Sequence, residues 1–304
     1  MVKPNLKVKI GGLELKNPVI VASGTFGSGE EYKDLIDLDK LGAIVTKSIT
    51  LRPREGNPPP RVVETPSGML NSIGLQNDGM DAFIKDKIPF LNKVKTAVIV
   101  SIAAHSVDDY AEIAGRLNKF KRVDAIEINI SCPNVKGGLE FSREPGSAAA
   151  VVRRVRAVSN KPLITKLSPN VKDITEIAMA AEDAGSDAVS LVNTFTGMAI
   201  DIASKRPVLG NIVGGLSGPA IKPIALRMVW ETAKKVKIPV IGIGGIMDYG
   251  DALEFIIAGA SAVQIGTVNF VNPKAAADIV SGIEKYMRQE KIKNIKELTG
   301  CLRR

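Results

Sequence analysis

Ala125-Ile126-Glu127-Ile128-Asn129 is a short, apolar-rich run with the composition of a strand that is buried on both faces. Seven further short apolar runs follow the same pattern, and most of them are rich in β-branched residues: Val19–Ala22, Ala43–Lys47, Val98–Ile102, Leu163–Lys166, Ala188–Val192, Val240–Ile243 and Ala262–Ile265. Runs of this kind that recur along a chain are typical of a buried parallel sheet. They decide the fold class of this protein.

Helical spacing fills several of the intervals between these runs. The segments with a helical pattern are Asp108–Phe120, Ser147–Val158, Asp173–Ala184, Pro219–Lys235 and Asp248–Ala258. Asp173 and Asp248 have the residue type of an N-cap, and Gly185 and Gly259 that of a C-terminal stop. Eight strands that alternate with helices predict an α/β protein with a TIM (β/α)8 barrel, and a doubly wound sheet is the alternative.

Three segments depart from a minimal barrel. Lys7–Ile10 and Leu13–Lys16 flank Gly11-Gly12, which predicts an N-terminal β-hairpin that plugs the bottom of the barrel. Residues 48–97 and 193–218 are long insertions after the second and sixth strands, at the carboxyl ends where barrel enzymes build their sites. No polar linker divides the chain, so residues 1–304 are predicted to form a single domain.

The composition argues against several classes of protein. One histidine and two distant cysteines, Cys132 and Cys301, are too few for a histidine-based metal site or an iron–sulfur cluster, so no metal is predicted. No window of about 18 apolar residues and no signal-peptide pattern is present, so we expect a cytoplasmic protein. The net charge of +9 is spread along the chain without a nucleic-acid reader motif, and an anionic ligand or an acidic partner explains it.

Glycines follow the last two predicted strands. Gly244-Gly245 ends the seventh strand and Gly266-Thr267 ends the eighth, while Gly218 lies nearby in the second insertion. Loops at these two positions of a barrel commonly bind phosphate through backbone N–H groups, and glycine lets that backbone approach closely. The alternative is that each glycine only makes a tight turn, but the paired pattern favours a phosphate site.

Lysines and asparagines occupy other strand ends. Lys47 and Lys166 end the second and fifth strands, and they would stabilise an anionic cofactor ring or a substrate carboxylate. Ion pairing with Glu127 or another acid is the plainer alternative. The amides suited to reading a ring of alternating carbonyl and N–H groups are Asn71, Asn129, Asn134 and Asn193.

Cys132 follows the central run within Asn129-Ile130-Ser131-Cys132-Pro133-Asn134, where a strand gives way to a loop. Most free cysteines are small buried hydrophobic residues. A thiol at a strand end can instead act as a base or a nucleophile if its thiolate is accessible. The residues around the predicted barrel mouth favour the chemical role.

The motifs at these positions strongly resemble those of the class 1 dihydroorotate dehydrogenases. The resemblance runs from about Leu6 to about residue 285, in family order, and the matching stretches are 129–134, 71–77, Lys47-Ser48, 165–170, 192–194, 215–218, 242–245 and 264–267. It implies a single FMN-binding TIM barrel over residues 1–304 that oxidises dihydroorotate to orotate in pyrimidine synthesis.

The resemblance also implies a role for each residue. Cys132 resembles the family's active-site base, which takes a proton from one ring carbon while a hydride leaves the adjacent carbon for the flavin; class 2 relatives carry serine there. The residues that resemble FMN contacts are Ser23, Lys47, Ser48, Asn129, Lys166, Val192, Gly218, Gly244, Gly245, Gly266 and Thr267. Those that resemble orotate contacts are Lys47, Asn71, Ser72, Ile73, Gly74, Leu75, Asn129, Asn134, Asn193 and Thr194. Some relatives carry an asparagine flavin contact where this chain has Ser101, so Ser101 is expected to supply a single hydrogen bond there.

Gly74-Leu75-Gln76-Asn77 and Val135-Lys136-Gly137-Gly138 resemble the type B catalytic subunits more than the type A enzymes that use fumarate. Type B implies a partner subunit that carries FAD and an iron–sulfur cluster and passes electrons to NAD, in a heterotetramer of two catalytic and two electron-transfer subunits built on a homodimer of this chain. The alternatives are a type A enzyme, another FMN barrel that acts on pyrimidines, a non-redox phosphate-binding isomerase or aldolase that uses Lys166, and, most remotely, a binding protein.

Overall fold

The computed structural model of the protein describes residues 3–130 and 141–303. Its strands are short, and most are rich in aliphatic and β-branched residues that suit a buried sheet. In chain order they are β1 (Val8–Ile10), β2 (Leu13–Leu15), β3 (Val19–Val21), β4 (Ala43–Val45), β5 (Val62–Thr65), β6 (Gly68–Asn71), β7 (Ala97–Ile102), β8 (Ala125–Asn129), β9 (Leu163–Lys166), β10 (Ala188–Leu191), β11 (Phe195–Met198), β12 (Ile200–Asp201), β13 (Arg206–Pro207), β14 (Val213–Ser217), β15 (Val240–Ile243) and β16 (Ala262–Ile265).

Eight of these strands close a parallel barrel in the order β10-β15-β16-β3-β4-β7-β8-β9. This confirms the predicted TIM barrel and excludes the doubly wound sheet, since an open sheet would leave two edge strands. Each of the eight predicted runs coincides with a barrel strand to within two residues. The prediction succeeded because strands covered by helices outside and by packed side chains inside must be apolar along their whole length.

The helices lie between the barrel strands and cover them. In chain order they are α1 (Gly79–Ala82), α2 (Ile88–Leu91), α3 (Val107–Leu117), α4 (Pro145–Arg156), α5 (Ile174–Asp183), α6 (Lys222–Ala233), α7 (Tyr249–Ala258), α8 (Val268–Val271) and α9 (Ala275–Gln289). The predicted N-caps are confirmed, because Asp173 accepts from the Thr175 N–H and Asp248 from the Asp251 N–H. Gly185 and Gly259 follow their helices with positive φ, as a C-terminal stop requires. None of the described helices is long and apolar enough to cross a membrane.

The N-terminal hairpin closes the bottom of the barrel. Strands β1 and β2 pair in antiparallel fashion around Gly11-Gly12, and their apolar side chains join the core. A Cβ on Gly11 would lie 2.5 Å from Cβ of Asp187, and one on Gly12 would lie 3.5 Å from Pro162. Both neighbours immediately precede barrel strands, so the hairpin lies against the amino ends of β9 and β10, as predicted.

The two long insertions combine into one antiparallel sheet in the order β11-β14-β6-β5. Asn71 of the first insertion pairs with Gly215 of the second. Because Met69, Asn71, Gly215 and Ser217 line the same cavity as the barrel strand ends, this sheet stands at the carboxyl end of the barrel. Both insertions were located from the sequence, but their pairing was not foreseen.

Candidate active site

A cavity of about 320 Å³ opens at the carboxyl ends of the barrel strands, between the barrel and the insertion sheet. Most of the residues predicted to bind a cofactor or substrate line it. They are Ser23, Lys47, Ser48, Asn71, Ile73, Gly74, Leu75, Asn129, Lys166, Val192, Asn193, Thr194, Gly218, Gly244, Gly245, Gly266 and Thr267. Segments that are far apart in the sequence thus meet in one site of the size of a small-molecule pocket.

One end of this cavity is formed by backbone, and we call its residues Gly218, Gly244, Gly245, Gly266 and Thr267 the glycine cradle. Gly245 has φ of +72°, and a Cβ there would lie 2.7 Å from Cβ of Lys222 and 2.9 Å from the carbonyl oxygen of Gly218. Gly218 has φ of +97°, and a Cβ there would lie 2.7 Å from Cα of Gly68. Only glycine fits at both positions without distortion.

The cradle presents backbone donors that the protein itself leaves unused. The N–H groups of Gly244, Gly245 and Thr267 donate to no oxygen in the described part of the chain. The Thr267 hydroxyl donates to Oγ of Ser217 at 2.8 Å, which fixes the side chain at the edge of the cradle. Free N–H groups beside the seventh and eighth strands of a barrel make an anion site that fits a phosphate.

The other end is formed by side chains, and we call Lys47, Asn71, Asn129, Lys166 and Asn193 the lysine–amide wall. Nδ2 of Asn129 donates to Oγ of Ser48 at 3.3 Å, and Nδ2 of Asn193 lies 3.5 Å from Oδ1 of Asn129. The side-chain Oδ1 of Asn193 accepts from the Thr194 N–H at 2.8 Å. These contacts hold the Asn129 and Asn193 amides next to each other at the cavity.

Lys166 is 6 % exposed, and its ammonium has neither a hydrogen bond nor an ion pair within residues 3–130 and 141–303. The alternative of an ion pair with Glu127 is therefore wrong for the described residues. Glu127 instead accepts from Nε2 of Gln264 at 2.7 Å and from the Ser190 hydroxyl at 3.1 Å, in a polar layer beneath the cavity. A buried cation without a protein partner is costly, so this site is built for an anion.

Lys47 supplies a second positive charge at the wall. Burial lowers the pKa of Lys47, the nearby Arg61 guanidinium lowers it further, and Asp78 and Glu31 act in the opposite direction. The Lys47 ammonium therefore loses its proton at a lower pH than the ammonium of an exposed lysine does. An anion that binds beside Lys47 would raise this pKa and favour the charged form.

The serines form a chain that leads away from the cavity. Oγ of Ser23 lies 3.3 Å from Oγ of Ser48, which lies 2.8 Å from Oγ of Ser101. Ser101 is fully buried and does not line the cavity. The structure therefore places the Ser101 hydroxyl behind Ser48, where it orients that hydroxyl rather than reaching into the cavity.

The stretch 73–76 reaches the cavity because Asn77 anchors it. The Asn77 side chain accepts from the N–H groups of Thr50 and Gly79, and it donates to the carbonyl oxygen of Leu75 at 2.7 Å. Leu75 is held at φ of +60°, which turns this stretch toward the barrel. Ser72, in contrast, is fully buried and does not line the cavity, and its substrate contact stays a prediction.

Strand β8 ends at the site, and a tyrosine holds that end. The Tyr110 hydroxyl of α3 donates to the carbonyl oxygen of Asn129 at 2.7 Å, and the Tyr110 ring meets the Phe141 ring edge to face at 5.8 Å. Cys132 and Asn134 lie outside the described residues. Their predicted roles remain predictions.

Several lining residues were not among the predicted contacts. They are Ala22, Gly24, Thr25, Val62, Met69, Gln76, Gly215, Ser217, Ile221, Ile243, Ile246, Met247 and Phe270. Gly24 and Thr25 could have been found from their position after the first strand. Val62, Met69 and Phe270 carry no chemical signal in the sequence, and they line the cavity because the insertion sheet and α8 bring them there.

These features fit FMN, the cofactor implied by the resemblance. The cradle N–H groups and the Lys166 ammonium have no partner in the part of the chain that the structure describes, and they suit the phosphate and the ring of FMN respectively. The serine hydroxyls suit its polar edges. Apolar side chains such as Ile243 and Leu75 offer surface for a planar ring.

Comparison with known proteins identifies the family. The family model described as dihydroorotate dehydrogenase matches residues 5–287. This chain belongs to the dihydroorotate dehydrogenase family. It is similar to proteins named dihydroorotate dehydrogenase B (NAD(+)), catalytic subunit, from Trichlorobacter lovleyi, with 59% identity over 301 residues (99% of each chain), and Geotalea daltonii, with 57% over 304 residues (100% of each chain).

A third relative of that name, from Geobacter sulfurreducens, is 57% identical over 303 residues and covers 99% of each chain. Membership in the dihydroorotate dehydrogenase family confirms the resemblance, and the relatives' names favour type B among its subclasses.

Proposed function

We propose that this chain is the catalytic subunit of a type B dihydroorotate dehydrogenase, which oxidises dihydroorotate to orotate in pyrimidine synthesis with NAD as the final electron acceptor. The observation that carries the proposal is the buried Lys166 ammonium, which has no partner among the described residues, in a cavity that also holds the glycine cradle and the amides. The match to the family model and the relatives' names supports the substrate and the acceptor.

FMN is the proposed cofactor of this chain, bound by residues 1–304 acting as one domain. When bound, it supplies the two-electron acceptor for the oxidation. The glycine cradle holds its phosphate through N–H groups, and the Lys166 ammonium stabilises negative charge on its ring. Ser23, Ser48, Asn129 and Val192 complete the proposed contacts, and Ser101 supports Ser48 from behind.

The substrate lies in this proposal against the lysine–amide wall. A dihydropyrimidine ring alternates carbonyl and N–H groups, which matches amides that both donate and accept. Asn71, Asn129, Asn193 and Thr194 line the cavity at this end, and Asn134 adds a fourth amide in the proposal. Lys47, with Ile73, Gly74 and Leu75 beside it, pairs with the carboxylate of the substrate.

Cys132 is the proposed base, on the strength of its place in the motif that begins at Asn129. A free thiol has a pKa of about 8.5, so proton abstraction by it speeds up as the pH rises toward that value. Unlike a covalent nucleophile, a base in this role forms no bond to the ring and is regenerated once its proton is released.

An electron-transfer partner completes the proposal. The chain has two cysteines, too few for an iron–sulfur cluster, so the cluster and the FAD are assigned to a second subunit in a heterotetramer built on a homodimer of this chain. The phrase "catalytic subunit" in the names of the relatives supports such a partner.

Anaerobic reduction of the purified protein tests the function. We expect a yellow protein that releases FMN on denaturation and is bleached by dihydroorotate but not by dihydrouracil. Cys132→Ser should bind orotate normally and be reduced more slowly, with its rate rising only at higher pH. Co-purification from the native host should yield an FAD-containing subunit and NAD reduction. A colourless protein, or a homodimer that reduces fumarate, would contradict the proposal.

A further inference from the structure

We propose that Asp251, through its ion pair with Lys222, is the positioning residue that holds residues 244–247 in the shape that binds the FMN phosphate. The inference rests on the proposed function, since it deepens the role of the glycine cradle. Neither Asp251 nor Lys222 lines the cavity, so both act through this segment, which we call the cradle loop.

The Asp251 carboxylate joins three elements. Its Oδ2 accepts from the backbone N–H of Met247 at 2.8 Å, and its Oδ1 accepts from Nζ of Lys222 at 2.6 Å. Its own N–H donates to Asp248, the N-cap of α7, at 3.0 Å. One side chain thereby links the end of the cradle loop, the start of α6 and the first turn of α7.

Lys222 braces the cradle loop from the other side. It is the first residue of α6, and a Cβ on Gly245 would lie 2.7 Å from its Cβ and 2.9 Å from its backbone nitrogen. The Gly245 backbone thus rests directly on Lys222, while the lysine head reaches Asp251 and, at 2.9 Å, Glu254. The loop is clamped between its hydrogen bond to Asp251 and its contact with Lys222.

The clamp matters because four consecutive residues of this loop line the cavity: Gly244, Gly245, Ile246 and Met247. The N–H groups of Gly244 and Gly245 have no acceptor among the described residues, so the loop backbone positions them. The side chains of Asp251 and Lys222 are 16% and 26% exposed. A shielded pair with short hydrogen bonds constrains geometry better than an exposed surface pair.

Glu254 provides a matched control. It contacts the same lysine, at 2.9 Å, but its side chain is 47% exposed, and its recorded contacts in the described residues do not reach the loop backbone. Both carboxylates neutralise Lys222, but only Asp251 also binds the cradle loop. Removing the charge of Glu254 should therefore leave the cradle intact.

The experiment titrates the flavin-free full chain with FMN and with riboflavin, which lacks the phosphate, and follows the quenching of flavin fluorescence. We expect Asp251→Ala to weaken FMN binding by about tenfold, the equivalent of one lost hydrogen bond to a charged group, and riboflavin binding by less than about twofold. Glu254→Gln should leave both affinities within about twofold of the wild type. Hydrogen exchange at Met247 should accelerate in Asp251→Ala alone.

The outcomes separate the possible failures. Equal weakening of FMN and riboflavin by Asp251→Ala, or an unchanged exchange rate at Met247, would overturn the role of Asp251 and leave the proposed function standing. An effect of Glu254→Gln as large as that of Asp251→Ala would do the same. A wild-type chain that binds neither flavin would overturn the proposed function itself and this inference with it.

Discussion

The two ends of the cavity bind their ligands through different groups, backbone N–H groups at one end and side chains at the other. The glycine cradle is backbone: its ligand-facing groups are N–H donors, and a single added methyl group at Gly245 would collide with Lys222 and Gly218. The lysine–amide wall is side chain: its Lys166 ammonium is buried without a partner among residues 3–130 and 141–303, and its amides are held by hydrogen bonds. Ligand binding at the cradle therefore depends on the shape of the backbone, whereas binding at the wall depends on charge. The buried charge also lowers the stability of the protein.

Lys166→Met should produce the largest effect at the wall. Removing a preorganised charge from a buried site costs about 10²- to 10³-fold in rate, so the reduction of the flavin by dihydroorotate should slow by that factor. The flavin-free protein should gain thermal stability, because a buried ammonium with no partner in the described part of the chain has been removed. Stopped-flow reduction and calorimetric unfolding measure the two quantities.

Lys161→Met is the matched control, because Lys161 lies two residues before β9 and Lys166 ends that strand. It should leave the reduction rate within about twofold of the wild type, as expected for a site at the opposite end of the barrel. If Lys166→Met destabilised the flavin-free protein, the Lys166 side chain would stabilise the fold, and the idea that its buried charge lowers stability would be wrong.

Gly245→Ala should be the next largest change, and it acts on the cradle. Forcing an alanine into φ of +72° costs about 1–2 kcal/mol, and the contact at 2.7 Å adds a comparable amount. A total of about 3 kcal/mol spent at the cradle lowers FMN affinity about a hundredfold. Flavin content after gel filtration and fluorescence titration check this.

Gly146→Ala tests whether the methyl group or its location matters. Gly146 lies in the first turn of α4 with open space around its Cβ position and no positive φ, so the exchange should leave FMN affinity unchanged. Normal FMN binding by Gly245→Ala would show that the cradle backbone can move to accommodate a methyl group. The cradle would then not depend on its exact shape.

Lys47 brings pH into the comparison. Its pKa is lowered below 10.5, first by burial and then by Arg61, despite the opposing Asp78 and Glu31. As pH rises through that lowered value the ammonium loses its proton, so orotate should bind about tenfold more weakly at high pH. Stability changes in the opposite direction: the unfolded chain binds the proton more tightly, so the buried ammonium opposes folding at low pH, and this cost disappears as pH rises from the lowered pKa to 10.5.

Orotate titrations over a pH series measure the effect. Lys47→Arg should shift the weakening to higher pH, because a guanidinium stays charged, and Lys47→Met should show weak binding with little dependence on this ionisation. A pH profile that is identical in the wild type and Lys47→Met would remove Lys47 as the partner of the carboxylate.

The barrel and its strand-end residues could be predicted because their signals are local. A strand buried on both faces must be apolar throughout, and Gly244-Gly245 and Lys166 follow such strands directly. The pairing of Asn71 with Gly215 could not be predicted, since two residues 144 positions apart meet only through tertiary structure. The role of Asp251 could not be predicted either, because an aspartate in the first turn is common to many helices and its contact with Lys222 is a tertiary one.

Ser101→Ala should give the smallest effect and sharpens the boundary of the site. Ser101 touches Ser48 at 2.8 Å but does not line the cavity, so its loss should cost about 1 kcal/mol of stability through one buried hydrogen bond. FMN affinity should fall by less than about threefold, and Ser48→Ala should weaken FMN more, because Ser48 lines the cavity. Urea unfolding and flavin titration of the two variants decide the order. If Ser101→Ala weakened FMN more than Ser48→Ala did, the hydroxyl of Ser101 would have to reach the cofactor directly, and the wall would extend one layer deeper into the barrel.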